Sequence, residues 1–152
     1  MVRRDSALRV VGTAALSMIL TSGCFDGLHA GHIRYLQAAD ERRNHGPLFP
    51  EFLYCAVAPD SYIRSVKHRE PYWSQADRIE TLRALTVLSD VFAQGEEGLA
   101  PLIRVLRPRL FIKGIDWQGH LCAHIEHACE EIGCRIIFVE TEARHGTAAH
   151  AG

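Results

Sequence analysis

The stretch from Ser17 to His32, Ser-Met-Ile-Leu-Thr-Ser-Gly-Cys-Phe-Asp-Gly-Leu-His-Ala-Gly-His, constrains the fold of this chain more than any other. Ser17 to Thr21 reads as a short buried strand that ends in a Gly-containing turn. The spacing Ile33, Leu36, Ala39 then predicts a helix opening after Gly31 and running to about Arg43. His29 and His32 therefore stand, at i and i+3, where strand passes into helix. A helix N-terminus offers free backbone N–H groups and the positive end of a dipole, which suits phosphate. Two imidazoles added there can donate to phosphate oxygens and offset charge that builds up in a displacement. The stretch reads as a nucleotide site, against the alternative that the two histidines only cap a helix.

The rest of the chain continues the alternation. Asn44 to Glu51, with Gly46, Pro47 and Pro50, reads as a loop. Phe52 to Ala58 is an apolar run of strand length, and a run apolar on both faces suits a parallel sheet covered by helices. Ser61 to Val66 reads as a short helix. Ser74-Gln75-Ala76-Asp77 is a capping-box start, followed by one apolar stripe of Ile79, Leu82, Leu85 and Leu88. Ser89–Ala93 and Leu110–Ile112 read as strands on either side of a helix over Leu99–Leu106. A helix from about Leu121 to Ile132 closes at Gly133 before a last strand, Arg135–Glu140. This order predicts an α/β fold with a doubly wound, five-stranded parallel sheet. In such sheets ligands bind beyond the carboxyl ends of the strands. Cys24 to His32, Asp60 to Lys67, Lys113 to Trp117 and Glu142 to Thr147 all follow strands, so one composite pocket at one sheet edge is expected.

Residues 23 to 32, Gly-Cys-Phe-Asp-Gly-Leu-His-Ala-Gly-His, resemble the Gly-x-Phe-Asp-x-x-His-x-Gly-His signature of the cytidylyltransferase-like nucleotidyltransferases. The resemblance implies a Rossmann-like nucleotidyltransferase fold over residues 17–152, preceded by an N-terminal extension, residues 1–16. It also implies transfer of a nucleoside monophosphate from ATP or CTP to a phosphate acceptor, with release of pyrophosphate. Within it, His29, His32 and Lys67 are expected to be catalytic. Cys24, Phe25, Asp26, Gly31, Lys113, Gly114, Asp116, Arg144 and Thr147 are expected to bind nucleotide, and Arg78 the acceptor phosphate. Lys67-His-Arg-Glu-Pro71 looks like a shortened form of a family Lys-Gly-x-x-Arg-Pro turn, in which Arg69 stands for the arginine. Taken alone, Lys67 would read as a solvated loop lysine and Arg78 as an exposed helix arginine. Asp116 is open to three roles: orienting a ribose, holding a magnesium-bound water, or capping the next helix.

Two acceptors are suggested. Pro108-Arg-Leu-Phe-Ile-Lys-Gly, followed by Ile-Asp-Trp, resembles the adenylyltransferases that make ADP-activated heptose, and Asp116-Trp-Gln-Gly resembles glycerol-phosphate cytidylyltransferases. The longer run favours the heptose-type reading over the CTP-dependent one. Mg²⁺ is expected, held mostly by phosphates and water, because a triphosphate needs its charge neutralised. Similar proteins end with a Gly-x-Ser-Thr-Thr stretch where this chain has Gly146-Thr-Ala-Ala. That departure motivates a second reading of another class, a nucleotide-binding regulator without turnover. A fragment of a class I aminoacyl-tRNA synthetase would share the His-x-Gly-His idea but lacks any tRNA-binding extension.

Composition narrows the partners. With 17 basic and 18 acidic residues the net charge is −1, so no basic field binds nucleic acid in bulk. Five cysteines without framework spacing suggest reduced thiols in a cytoplasmic protein, and a homodimer is expected from similar enzymes. Residues 1–24 imitate a lipoprotein signal, but Arg9, Gly12 and Ser17 break the apolar stretch, and cleavage before Cys24 would remove the first strand. No segment is long and apolar enough to cross a membrane. His120, Cys122, His124, His127, Cys129 and Cys134 are dense enough to raise a zinc site. At about 100° per residue, however, the histidines and cysteines fall on different helix sides, so packing as small hydrophobes is expected for the cysteines.

Overall fold

A computed structural model of the chain describes residues 17–48 and 50–141, so the expected extension over residues 1–16 lies outside the described residues. The strands are β1 (Ser17–Gly23), β2 (Glu51–Val57), β3 (Asp90–Ala93), β4 (Leu110–Gly114) and β5 (Arg135–Val139). The helices are α1 (Ala30–Asp40), α2 (Asp60–Lys67), α3 (Gln75–Arg83), α4 (Ala100–Leu106) and α5 (Ala123–Ile132), with a 3₁₀ turn at Ile115–Trp117. All pairings are parallel and the strand order is β3-β2-β1-β4-β5. The expected doubly wound sheet is therefore formed, and its switch point lies between β1 and β4.

Alternation along each strand divides the core into two layers. Ile19, Leu53, Val91 and Ile112 face α1 and α3, whose Leu36, Ala39, Ile79 and Leu82 cover them. Met18, Leu20, Tyr54 and Phe111 face α4 and α5, which contribute Ile103, Ala128 and Cys129. Because both faces are covered, the strands read as continuous apolar runs rather than alternating ones. Thr21 is a fully buried polar residue of β1. Its hydroxyl and that of Tyr35 lie 2.9 and 3.0 Å from the Ile112 carbonyl and within bonding reach of each other, so one hydroxyl donates to the carbonyl and the other donates to its neighbour hydroxyl. This polar knot ties α1 across β1 and β4 close to where the site forms.

Several boundaries differ from the sequence reading: β1 runs on to Gly23 and β4 to Gly114, and α1 stops at Asp40. α3 ends at Arg83, yet Leu85 and Leu88 still pack into the core from the turns that follow. α5 begins at Ala123 rather than Leu121, with Cys122 at the N-cap. Glu51, expected in the loop, is the first residue of β2 and only 4% exposed. Its carboxylate accepts from Ser17 Oγ at 3.0 Å, from the Asn44 amide at 2.7 Å and from both Nε and Nη2 of Arg109. A buried carboxylate needs such partners, and these recruit the last residue of the expected loop to the sheet.

Candidate active site

The turn after β1 is shaped by glycines whose side-chain space is already taken. A Cβ on Gly23 would lie 2.8 Å from the Phe25 ring, so only glycine lets that ring fold back. Phe25 itself has φ 49, a left-handed conformation that costs energy in a bulky residue and persists only where packing fixes it. Its buried ring packs 5.2 Å from that of His32. Phe25 is thus a support for the histidine, with little surface left for a nucleotide.

His29 is the N-cap of α1, and both histidines take part in a capping box. His29 Nδ1 accepts from the Gly31 amide at 3.0 Å, and His32 Nδ1 accepts from the His29 amide at 3.3 Å. The two rings stack with centroids 3.9 Å apart. A Cβ on Gly31 would stand 2.8 Å from His29 Cε1, so glycine between the histidines is required by the ring that caps the helix. Capping thus accounts for both Nδ1 atoms and for the intervening glycine, and it leaves each Nε2 for another partner. Because each Nδ1 accepts a backbone N–H, the neutral rings carry their protons on Nε2. That leaves two Nε2–H donors at the positive end of a helix.

Burial, with the charges of His29 and Lys67, lowers the His32 pKa from 6.5 to about 4. At neutral pH this ring is an uncharged donor. A ring kept neutral by the fold contributes stability that is complete above about pH 6.5 and is lost as pH falls from there towards 4. After allowance for solvent screening, the loss is roughly 2 kcal/mol. Urea midpoints at pH 7.5 and 5 should show this decline, and His32→Gln should flatten it.

Lys67, at the C-terminal end of α2, is exposed, and its charge reaches both His32 and Cys24. Cys24 is half-buried; burial raises its thiol pKa against the opposing charges of Lys67, Arg78 and Lys113. Lys113, at the end of β4, is 6% exposed and donates to the Ser22 carbonyl at 2.9 Å and the Ser22 hydroxyl at 3.3 Å. Its ammonium sits 4.4 Å from the centre of the Trp117 ring, and burial lowers its pKa to about 8. Asp116 is exposed in the 3₁₀ turn, and its carboxylate folds back over Gly114, where a Cβ would lie 2.4 Å from Oδ1. It does not cap α5, which begins seven residues later, at Ala123.

Two expected site residues have other work. The Asp26 side chain is 1% exposed and accepts from Arg69 Nη1 at 2.6 Å and from the Tyr72 and Trp73 amides at 3.0 Å each. Burial alone would raise its pKa, but the Tyr72 amide, the Arg69 guanidinium and the Trp73 amide hold it below the usual carboxylate range. A carboxylate so engaged does not face a polyphosphate. Arg78, at 1% side-chain exposure, is neither an exposed helix residue nor open to an acceptor. It donates to the Trp73 carbonyl at 3.1 Å, the Cys24 carbonyl at 2.7 Å and Asp60 Oδ1 at 2.8 Å. Sequence reasoning also passed over Tyr72 and Trp73. Both are exposed on the segment that Asp26 holds, and Tyr72 stacks under the Arg69 guanidinium at 4.3 Å.

Arg144, Thr147 and the rest of the Gly146-Thr147-Ala148 end lie outside the described residues. Among the described residues no three His, Cys, Asp or Glu side chains are grouped so as to hold a metal. His127 pairs with Glu131 at 3.0 Å, Cys122 lies 3.6 Å from His124, and Cys129 is packed in the core. No helix among the described residues is long and apolar enough to cross a membrane. A cavity of about 340 Å³ between α1 and β5, lined by Ala38, Arg42, Ile115 and Phe138 among others, holds none of the expected site residues.

A doubly wound sheet whose first strand delivers two capping histidines to a helix N-terminus defines a nucleotide-binding α/β protein of the nucleotidyltransferase class. The chain belongs to the cytidylyltransferase-like family, which matches residues 20–146. It is 34% identical over 116 residues to the bifunctional protein HldE of Campylobacter fetus subsp. fetus, covering 76% of this chain and 24% of that protein. It is 36% identical over 103 residues to HldE of Coxiella burnetii, covering 67% of this chain and 20% of that protein. The chain thus spans about a quarter or less of the length of these curated relatives. Among solved structures, a lipopolysaccharide core biosynthesis protein of Thermoplasma volcanium superposes with a TM-score of 0.64 at 22% identity, covering 83% of this chain and 96% of that one. Pantothenate synthetase of Thermus thermophilus gives 0.52 at 16% identity over 91% of this chain and 61% of that one. Both likenesses concern the fold.

Proposed function

We propose that this chain transfers the nucleoside monophosphate of ATP to the phosphate of a sugar of the heptose 1-phosphate type. An oxygen of the acceptor phosphate attacks the α-phosphorus, the bond to the bridging oxygen breaks, and pyrophosphate leaves. The observation that carries this reading is the stacked pair His29 and His32, each with Nδ1 engaged on backbone and Nε2–H left to donate. Donors fixed by the fold need no reorganisation as charge builds, which is the larger part of catalysis where the protein makes no covalent bond. His29 and His32 would hold the α- and β-phosphates, and Lys67 the charge on the transferring group. Lys113 would add positive charge beneath the turn through Ser22. HldE relatives and the resemblance of Pro108 to Gly114 support the heptose-type acceptor.

The residues present fit a magnesium ion carried by the triphosphate. Asp26 and Asp60 are bound to arginines, whereas the Asp116 carboxylate is exposed at the end of β4 and free to meet a hydrated cation. When bound, such an ion supplies charge neutralisation on the phosphates. Pyrophosphate release, measured with ATP and CTP against heptose 1-phosphate and glycerol 3-phosphate, tests the proposal. ATP with the heptose is expected to be the productive pairing. Release only with CTP and glycerol 3-phosphate would replace it by the cytidylyltransferase reading. Nucleotide binding without release under every pairing would replace it by the regulator reading.

A further inference from the structure

Lys67 rides on a helix with little hydrophobic anchorage. Of the eight residues of α2 only Ile63 is buried, so apolar packing fixes neither the roll nor the tilt of the helix. Polar ties stand at both ends instead. At its first residue, the Asp60 carboxylate receives Arg78 Nη2 at 2.8 Å. Past its last residue, His68 adopts φ 53 and turns the chain so that Arg69 meets the buried Asp26 carboxylate at 2.6 Å.

These ties belong to one closed circuit. Asp26 accepts from the Trp73 amide, the Trp73 carbonyl accepts from Arg78 Nε, and Arg78 Nη1 donates to the Cys24 carbonyl, two residues before Asp26. The circuit joins the phosphate turn, α2 and the 69–73 segment through one guanidinium and one carboxylate, both almost wholly buried. Its two central members, Arg78 and Asp26, are desolvated and have every polar atom paired, which restricts the geometries open to it. The histidine cap shares no hydrogen bond with this circuit: its side-chain bonds run among His29, Gly31 and His32.

We propose that Asp26 and Arg78 are positioning residues that act through Lys67, clamping α2 at both ends so that the ammonium stands against the phosphate turn. This rests on the transferase reading above. It assigns them no contact with nucleotide or acceptor, in place of the binding roles their sequence positions suggest.

The test is a double-mutant cycle on pyrophosphate release, with Asp26→Asn, Lys67→Ala and their combination, and Arg78→Lys as a charge-retaining second variant. Asp26→Asn is expected to lower kcat about 100-fold, the cost of an ångström-scale misplacement. KM for ATP should stay within about threefold, because the histidine cap is untouched. In the Lys67→Ala background the same change should cost less than about twofold. A KM rise that accounts for the loss, or an undiminished loss without Lys67, would overturn the proposal. Tryptic cleavage after Lys67 or Arg69 gives a readout independent of turnover. Cleavage that is faster in Asp26→Asn and Arg78→Lys at a temperature well below each variant's thermal midpoint supports the clamp, even if the wild type releases no pyrophosphate and the transferase reading fails. Unchanged cleavage in both variants would refute it.

Discussion

His32→Ala is expected to reduce pyrophosphate release by about 10³-fold or more while the chain still folds. The substitution removes an Nε2–H donor, and it also removes the stacked neighbour, 3.9 Å away, that keeps the His29 ring in place. Both donors to the polyphosphate are therefore affected, which is why the effect should exceed that of one lost hydrogen bond. The structural cost is smaller. α1 keeps the bond from the Gly31 amide to His29 Nδ1 and loses only the reciprocal one from the His29 amide, worth about 1 kcal/mol. Steady-state rates and a urea unfolding curve on the same preparation separate the two quantities. Turnover within about tenfold of wild type would remove His32 from the mechanism.

Arg78→Met is expected to destabilise the fold by about 3 kcal/mol, seen as a lower urea midpoint at an unchanged slope. Methionine fills most of the volume but leaves the carbonyls of Cys24 and Trp73 without their donor and Asp60 without its counter-charge. Removing one member of a buried polar group costs more than the group contributed, because the remaining atoms stay desolvated. Asp60 is 30% exposed, so water recovers part of its solvation and keeps the loss near the lower end of the range. In a chain of this size the thermal midpoint should fall by about 10 °C. A change below about 1 kcal/mol would show that water reaches these carbonyls and that the guanidinium is dispensable for the fold.

These two residues also mark where local sequence stops being informative. His29, Gly31 and His32 lie within one helical turn, so spacing alone places both rings at the helix start and makes the intervening glycine intelligible. Asp26 and Arg78 meet their partners across separations of 43 and 54 residues, and no local pattern states which way such side chains turn. A motif position was thus legible as important while its task was not. Lys113 is a similar case. Its place after β4 follows from the pattern, but only the approach of β1 and Trp117 makes it a buried cation with a lowered pKa.

The amino-acid order by itself determined the alternation of elements, the doubly wound parallel sheet and the placing of the two histidines where β1 passes into α1. Apolar periodicity, helix caps and glycine turns are short-range and speak through neighbouring residues. Tertiary structure alone decided which charged groups are spent on one another and which stay free. Burial and pairing depend on segments that meet only after folding: they bind Asp26 and Arg78 into the scaffold, keep His32 uncharged and leave Lys67 and Asp116 exposed.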